Sequence, residues 1–203
     1  MEDLIVTGGK KELQAFKDEV FNNSGGFYQA AIDSKGNVTL SKTGLEKEQN
    51  EDSYLEMSNT QAAFVSDIES IIDSDVKTEV ELVSSDKSID VGSIKHNKID
   101  MADIAAFDDV GVGVSTSAGA LSHELVEQFE KAKAGGEKGV YPPGALGMHR
   151  KAIKAENRAN GNTRGENLMT GQNFFKNKDG SVYEQFVIPQ KSGTVKVTKT
   201  KIK

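Results

Sequence analysis

The chain contains no cysteine, so neither disulfides nor thiolate metal ligands enter its chemistry. It has no uninterrupted apolar run of the ~18 residues that a membrane-spanning helix needs. Positive charge is in deficit: 25 lysines and arginines against 31 aspartates and glutamates leave a net charge of −6. No overall positive field draws a polyanion, and the basic run at 191–203 is short and local. The expected partners therefore include neither nucleic acid nor membrane. Histidine is scarce as well. Only three occur in 203 residues, and two of them, His123 and His149, stand in segments rich in glutamate or lysine.

The length suits a single domain that buries a core without covalent staples. A 36% apolar and 28% charged composition fits a polar globule. The start, Met-Glu-Asp-Leu-Ile-Val, is acidic and runs into a strand pattern, unlike a signal peptide, so export is expected only as part of something larger. Periodicity predicts a strand at 4–7 and an amphipathic helix at 10–22 on Leu13, Phe16, Val20 and Phe21. Segments 27–33 and 38–42 form a hairpin around Ser34-Lys35-Gly36-Asn37, and the acidic stretch 44–52 reads as a loop. A capped helix runs from Ser58-Asn59 to about Ser74, burying Ala62, Val65, Ile68, Ile71 and Ile72. Strands are expected at 78–84 and 88–93, and 99–107 carries a capped helical turn anchored by Ile104 and Phe107.

Two longer helices follow. The first, 117–134, has an apolar stripe of Ala118, Leu121, Leu125, Phe129 and Ala132; the second, 145–160, is stopped by Gly161. Segments 173–176, 182–189 and 194–199 read as a C-terminal hairpin or meander. Strands and helices interleave without regular βαβ crossovers, so the expected class is α+β. Sheet and helices would occupy 1–110, a helix pair 111–165 and a β tail 166–203.

The helix pair carries the chemistry. In Ser122-His123-Glu124-Leu125-Val126-Glu127 the residues four apart share a helical face, so His123 and Glu127 project together. Glu124, rotated roughly 100° from His123, lies beside them. On the second helix His149 and Glu156, seven apart, also share a face. Two helices that each offer an imidazole and a carboxylate can hold a divalent metal. His123, Glu127 and His149 are the natural ligands, and Glu124 is the natural base for a water in an open position. Glu156 is a fourth ligand or a carboxylate that orients an imidazole. Anionic Glu127 widens the candidates from zinc to iron or manganese. The same residues admit a plainer reading, a solvated face on which Glu127 pairs with Lys131 at i,i+4.

Other residues carry less. His96, in Lys95-His96-Asn97-Lys98, reads as an exposed turn histidine. Tyr141 either donates to a tetrahedral intermediate or packs against Pro142-Pro143. Arg158 and Arg164 either stabilise an oxyanion or carboxylate or are ordinary surface arginines. Ser122 lacks a nucleophile elbow, and Gly111-x-Gly113 is too short for a phosphate loop.

The run Ser-His-Glu-Leu-Val-Glu-Gln-Phe-Glu-Lys at 122–131, the glycine-rich loop after it, His149-Arg-Lys-Ala-Ile-Lys-Ala-Glu-Asn-Arg, Gly161-Asn-Thr-Arg164 and the preceding 99–108 resemble a known family. Over about 90–165 the chain resembles the C-terminal variable domains of bacterial rearrangement-hotspot (YD-repeat) proteins. Such domains are often toxin or effector modules, and one class is similar to zincin metallopeptidases. The resemblance implies a zincin-like fold, with the His-Glu helix beneath a small mixed sheet whose edge strand, 78–84 or 88–93 here, binds substrate. It implies zinc, with His123 as first ligand and Glu124 as catalytic base. Glu127 stands where zincins carry a second histidine, and His149 and Glu156 belong to this subgroup alone. It further implies a bacterial protein, secreted or delivered into a target cell within a larger assembly. The substrate would be a protein or peptide, with a delivery scaffold or an immunity protein as partner. The expectation is a metal-dependent hydrolase, a zincin-like metallopeptidase. The alternatives are an inactive zincin-like binding or structural domain, and a plain globular domain with incidental histidines.

Overall fold

The computed structural model describes residues 4–45, 56–111, 113–167 and 172–203, so the loop read at 44–52 lies largely outside the described residues. Strand β1 (Leu4–Thr7) alternates buried Leu4 and Val6 with outward residues. Helix α1 (Lys10–Asn23) buries Phe16 and Val20. Phe21, expected in that stripe, is instead 47% exposed, because it neighbours Val20 and is rotated roughly 100° off the buried line. Strands β2 (Tyr28–Ile32) and β3 (Val38–Lys42) form an antiparallel hairpin. The Asp33 carboxylate closes its turn by accepting from the backbone N–H groups of Lys35 and Asn37.

Helix α2 (Asn59–Ile72) starts at a capping box in which Ser58 and Gln61 satisfy one another's backbone N–H. Its buried face runs through Phe64, Val65, Ile68, Ile71 and Ile72, while Ala62 is exposed. Strands β4 (Thr78–Val83), β5 (Gly92–Ser93) and β6 (Lys98–Asp100) join β1 in a four-stranded mixed sheet of order β1-β4-β6-β5. β1, β4 and β6 are parallel, and β5 is antiparallel at the edge. Two expectations change here. β4 is interior to the sheet and offers no edge. The strand read at 88–93 shrinks to Gly92–Ser93, because Val91 has φ +64°, outside the extended region.

The turn read at 99–107 divides into the end of β6 and helix α3 (Met101–Ala106), capped by the Asp100 carboxylate. Buried Asp103 accepts from the backbone N–H of Val91 at 3.0 Å and of Val195 at 2.7 Å, tying the sheet's edge to the C-terminal strands. Helices α4 (Ser117–Lys133) and α5 (Ala145–Asn160) pack against each other. The tail exceeds a hairpin. β7 (Thr163–Asn167), β8 (Gln172–Lys176), β9 (Val182–Pro189) and β10 (Val195–Lys201) form an antiparallel meander that begins before residue 166. Val195 and Val197 join the main core with Leu82, Ile99, Ile104, Leu121 and Leu125. The class is α+β. Among the described residues, no helix is long and apolar enough to cross a membrane.

Candidate metal centre

Helix α4 begins where Thr116 accepts from Gly119 N–H. Asn160, the last residue of α5, accepts from Thr116 N–H at 3.0 Å and Thr116 Oγ1 at 2.8 Å. Its amide lies where a Cβ at Gly119 would be, so the missing side chain lets the helices close together. Glycines in left-handed conformation bracket α5: Gly144 before it and Gly161 after it. At the far end of α4, Lys131 is only 1% exposed. Its ammonium donates to Ile94 O at 2.7 Å, Lys95 O at 3.2 Å and Asn97 Oδ1 at 2.6 Å, fixing the β5–β6 turn to the helix. The solvated-face reading, with Lys131 paired to Glu127, therefore does not describe this helix.

Held in this way, α4 and α5 bring four candidate residues together. His123, 6% exposed, meets Glu156 Oε2 through Nδ1 at 2.9 Å and His149 Nδ1 through Nε2 at 3.1 Å. His149 Nδ1 also lies 3.1 Å from Glu127 Oε1. One ligand atom from each of His123, Glu127 and His149 falls within 4.8 Å of the others, so this group can hold a metal ion. The fit is metric. Bonds of 2.0–2.2 Å at tetrahedral angles place ligand atoms about 3.4 Å apart, close to the two 3.1 Å separations. Glu156 stands behind His123 rather than beside the open face. His123 and Arg164 both donate to its carboxylate, and they hold it down at about 2 although burial opposes them. An ionised carboxylate only accepts, so Nδ1 of His123 carries a proton, and in the neutral imidazole this leaves the lone pair on Nε2.

Glu124, the candidate base, lies against Gly92 of β5, its carboxyl group filling the volume that a Cβ there would take. Burial, with Glu127 and Glu156 nearby, raises its pKa well above the usual carboxylate value, against the pull of Arg164. Glu124, Glu127 and Glu156 thus gather around one arginine and two imidazoles.

The candidate residues border two cavities. A 650 Å³ cleft opens on the Glu127 and His149 side, between Gly92–Lys95 and the loop carrying Tyr141 and Pro142 with Leu146 at the start of α5. A 230 Å³ pocket on the His123 and Glu124 side is walled by Arg164, Asn173 and Gln185. Tyr141 is 66% exposed at the cleft rim. Arg164 reaches the site through Glu156. Arg158 does not line either cavity; it pairs with Asp67 of α2. His96 is exposed in its turn. Gly92 and Lys131 were not legible as site residues, because each acts through a contact distant in sequence, and Asn173 was not, because it acts only once β8 pairs with β7.

The chain matches no protein-family model, no curated protein and no solved structure.

Proposed function

We propose that this protein is a metal-dependent hydrolase, a zincin-like metallopeptidase that holds zinc, or another divalent ion, between α4 and α5. The observation that carries the reading is the convergence of His123 Nε2, His149 Nδ1 and Glu127 Oε1, with Glu156 on the far nitrogen of His123. The carboxylate oxygen that Glu127 offers beside the two imidazoles supports a cation as occupant. A divalent ion there would supply a Lewis acid and an acidified water. His123, His149 and Glu127 would hold it. Glu124 would take the proton of the attacking water and pass it to the leaving amine. The edge strand β5 beside Glu124 gives an extended peptide a wall to lie along, which favours a peptide over a small ester.

The same reading makes the protein a bacterial toxin or effector module, secreted or delivered within a larger assembly, with a protein substrate and a scaffold or immunity protein as partner. Its support is the sequence resemblance over 90–165. The test is elemental analysis of protein purified without an affinity tag, followed by a peptide-library cleavage assay with and without added zinc. About one equivalent of metal with metal-dependent cleavage is the expected result. Metal without cleavage would assign an inactive binding domain, and no metal uptake would overturn the reading.

A further inference from the structure

We propose that Arg164 and Asn173, on the β7–β8 hairpin, are positioning residues for the ion site, holding Glu156 against His123 so that His123 Nε2 faces His149 and Glu127. The inference rests on the metal reading above.

Arg164 is rooted at the end of α5, where its backbone N–H donates to Asn157 Oδ1 at 2.7 Å. Its side chain is largely buried and engages two partners. Nε and Nη2 donate to Asn173 Oδ1 at 3.2 and 3.0 Å, and Nη1 donates to Glu156 Oε2. The guanidinium is planar, so two anchors on Asn173 fix its plane and thereby the direction of the third N–H. Arg164 pairs with Phe175 across the two strands, and Asn173 sits diagonally from it on the neighbouring strand. Glu156 Oε2 then has two donors, Arg164 and His123 Nδ1, and the second contact sets the rotation of the imidazole. A lysine at 164 would keep the charge but lose the fork. The meander outside the helix pair thus helps set the affinity of a site whose ligands all lie on α4 and α5.

Removing an outer partner of a metal-ligating histidine typically weakens metal binding about 10–100-fold. The experiment measures zinc affinity of the full chain by competition with a chromophoric chelator at 25 °C, for variants whose circular dichroism matches wild type. Arg164→Met is expected to weaken zinc about 10–100-fold, and Asn173→Leu by roughly 10-fold, at the lower end of that range. Asn173→Asp keeps the Oδ1 acceptor and should stay within about twofold of wild type, a rescue that lost packing alone would not give. In zinc-free protein the hydrogen-bonded His123 Nδ1–H proton should be visible by NMR in wild type and Asn173→Asp, and absent in Arg164→Met and Asn173→Leu. If Arg164→Met does not fold, the two Asn173 variants decide. Wild-type uptake of zinc with unchanged affinity in the variants would overturn this inference alone. Wild type that takes up no zinc would overturn it together with the metal reading.

Discussion

Gly92 of the edge strand and Glu124 of α4 share one volume: the Glu124 carboxyl group occupies the place where a side chain at position 92 would begin. The backbone of Gly92 is not left-handed, and the atoms nearest to an alanine Cβ there all belong to the Glu124 side chain. Gly92→Ala should therefore push Glu124 aside and leave His123, Glu127 and His149 where they are. Turnover is expected to fall by up to about 100-fold, the scale of a displacement of about an ångström in a reacting group. Zinc affinity should stay within about twofold. Cleavage rate and zinc affinity measured on the same preparation check both halves.

A metal that bridges α4 and α5 stabilises the native state through binding. Zinc at 100 times its Kd should add about 2.7 kcal/mol. Chelator should lower the Tm of wild type and leave His149→Ala unchanged, since that variant has lost the only ligand that α5 supplies to the group. Melting curves with and without chelator, at fixed protein concentration, make the comparison. Identical wild-type curves would count against a bridging ion.

Glu156 gives the metal-free protein an acid-sensitive joint. Arg164 and His123 hold its carboxyl at about 2, below its ordinary 4.5. A depressed folded-state pKa contributes stability that is present above the unfolded value and lost as pH falls through the folded one. The contribution should be complete above about pH 5 and fade between about 4.5 and 2. Glu156→Gln removes this titration, so urea unfolding of the two proteins in chelator should converge as pH drops across that window. A constant difference from pH 6 to 2 would contradict it.

Much of this site was legible because helical spacing is a local property. His123 with Glu127, and His149 with Glu156, lie on shared faces whatever surrounds them, and the α5 boundary at Gly161 follows from its left-handed cap. The core positions Leu121 and Leu125 follow from the same periodicity. What the sequence did not reveal depends on strand pairing and on side-chain contacts between elements. β7, Thr-Arg-Gly-Glu-Asn, has no apolar alternation and is a strand because β8 pairs with it. The edge strand is short because Val91 turns left-handed while Asp103 holds its N–H. Lys131 reads as a surface partner of Glu127, yet three oxygens of the 94–97 turn draw it inside. Arg164 looked like a group for substrate charge, and its partners are Glu156 and Asn173.

The decisive variant for catalysis is Glu124→Gln. The side chain keeps its size and its place against Gly92, and loses only the capacity to take a proton. Burial, with Glu127 and Glu156 nearby, disfavours a charge at this position, so a neutral amide of the same size is tolerated there and the Tm should change little. Zinc affinity should also persist, because Glu124 is not in the converging group. Turnover should fall at least about 100-fold, the lower range for a positioned general base. Glu127→His supplies the complementary change. It replaces an anionic ligand by a neutral imidazole at a point where His149 Nδ1 is 3.1 Å away, and should raise the activity of the bound water by making it more acidic. The assay compares peptide cleavage by wild type, Glu124→Gln and Glu127→His at equal metal loading. Equal cleavage by wild type and Glu124→Gln would trace the activity to a contaminating protease, and loss confined to Glu124→Gln would identify this carboxyl as the base.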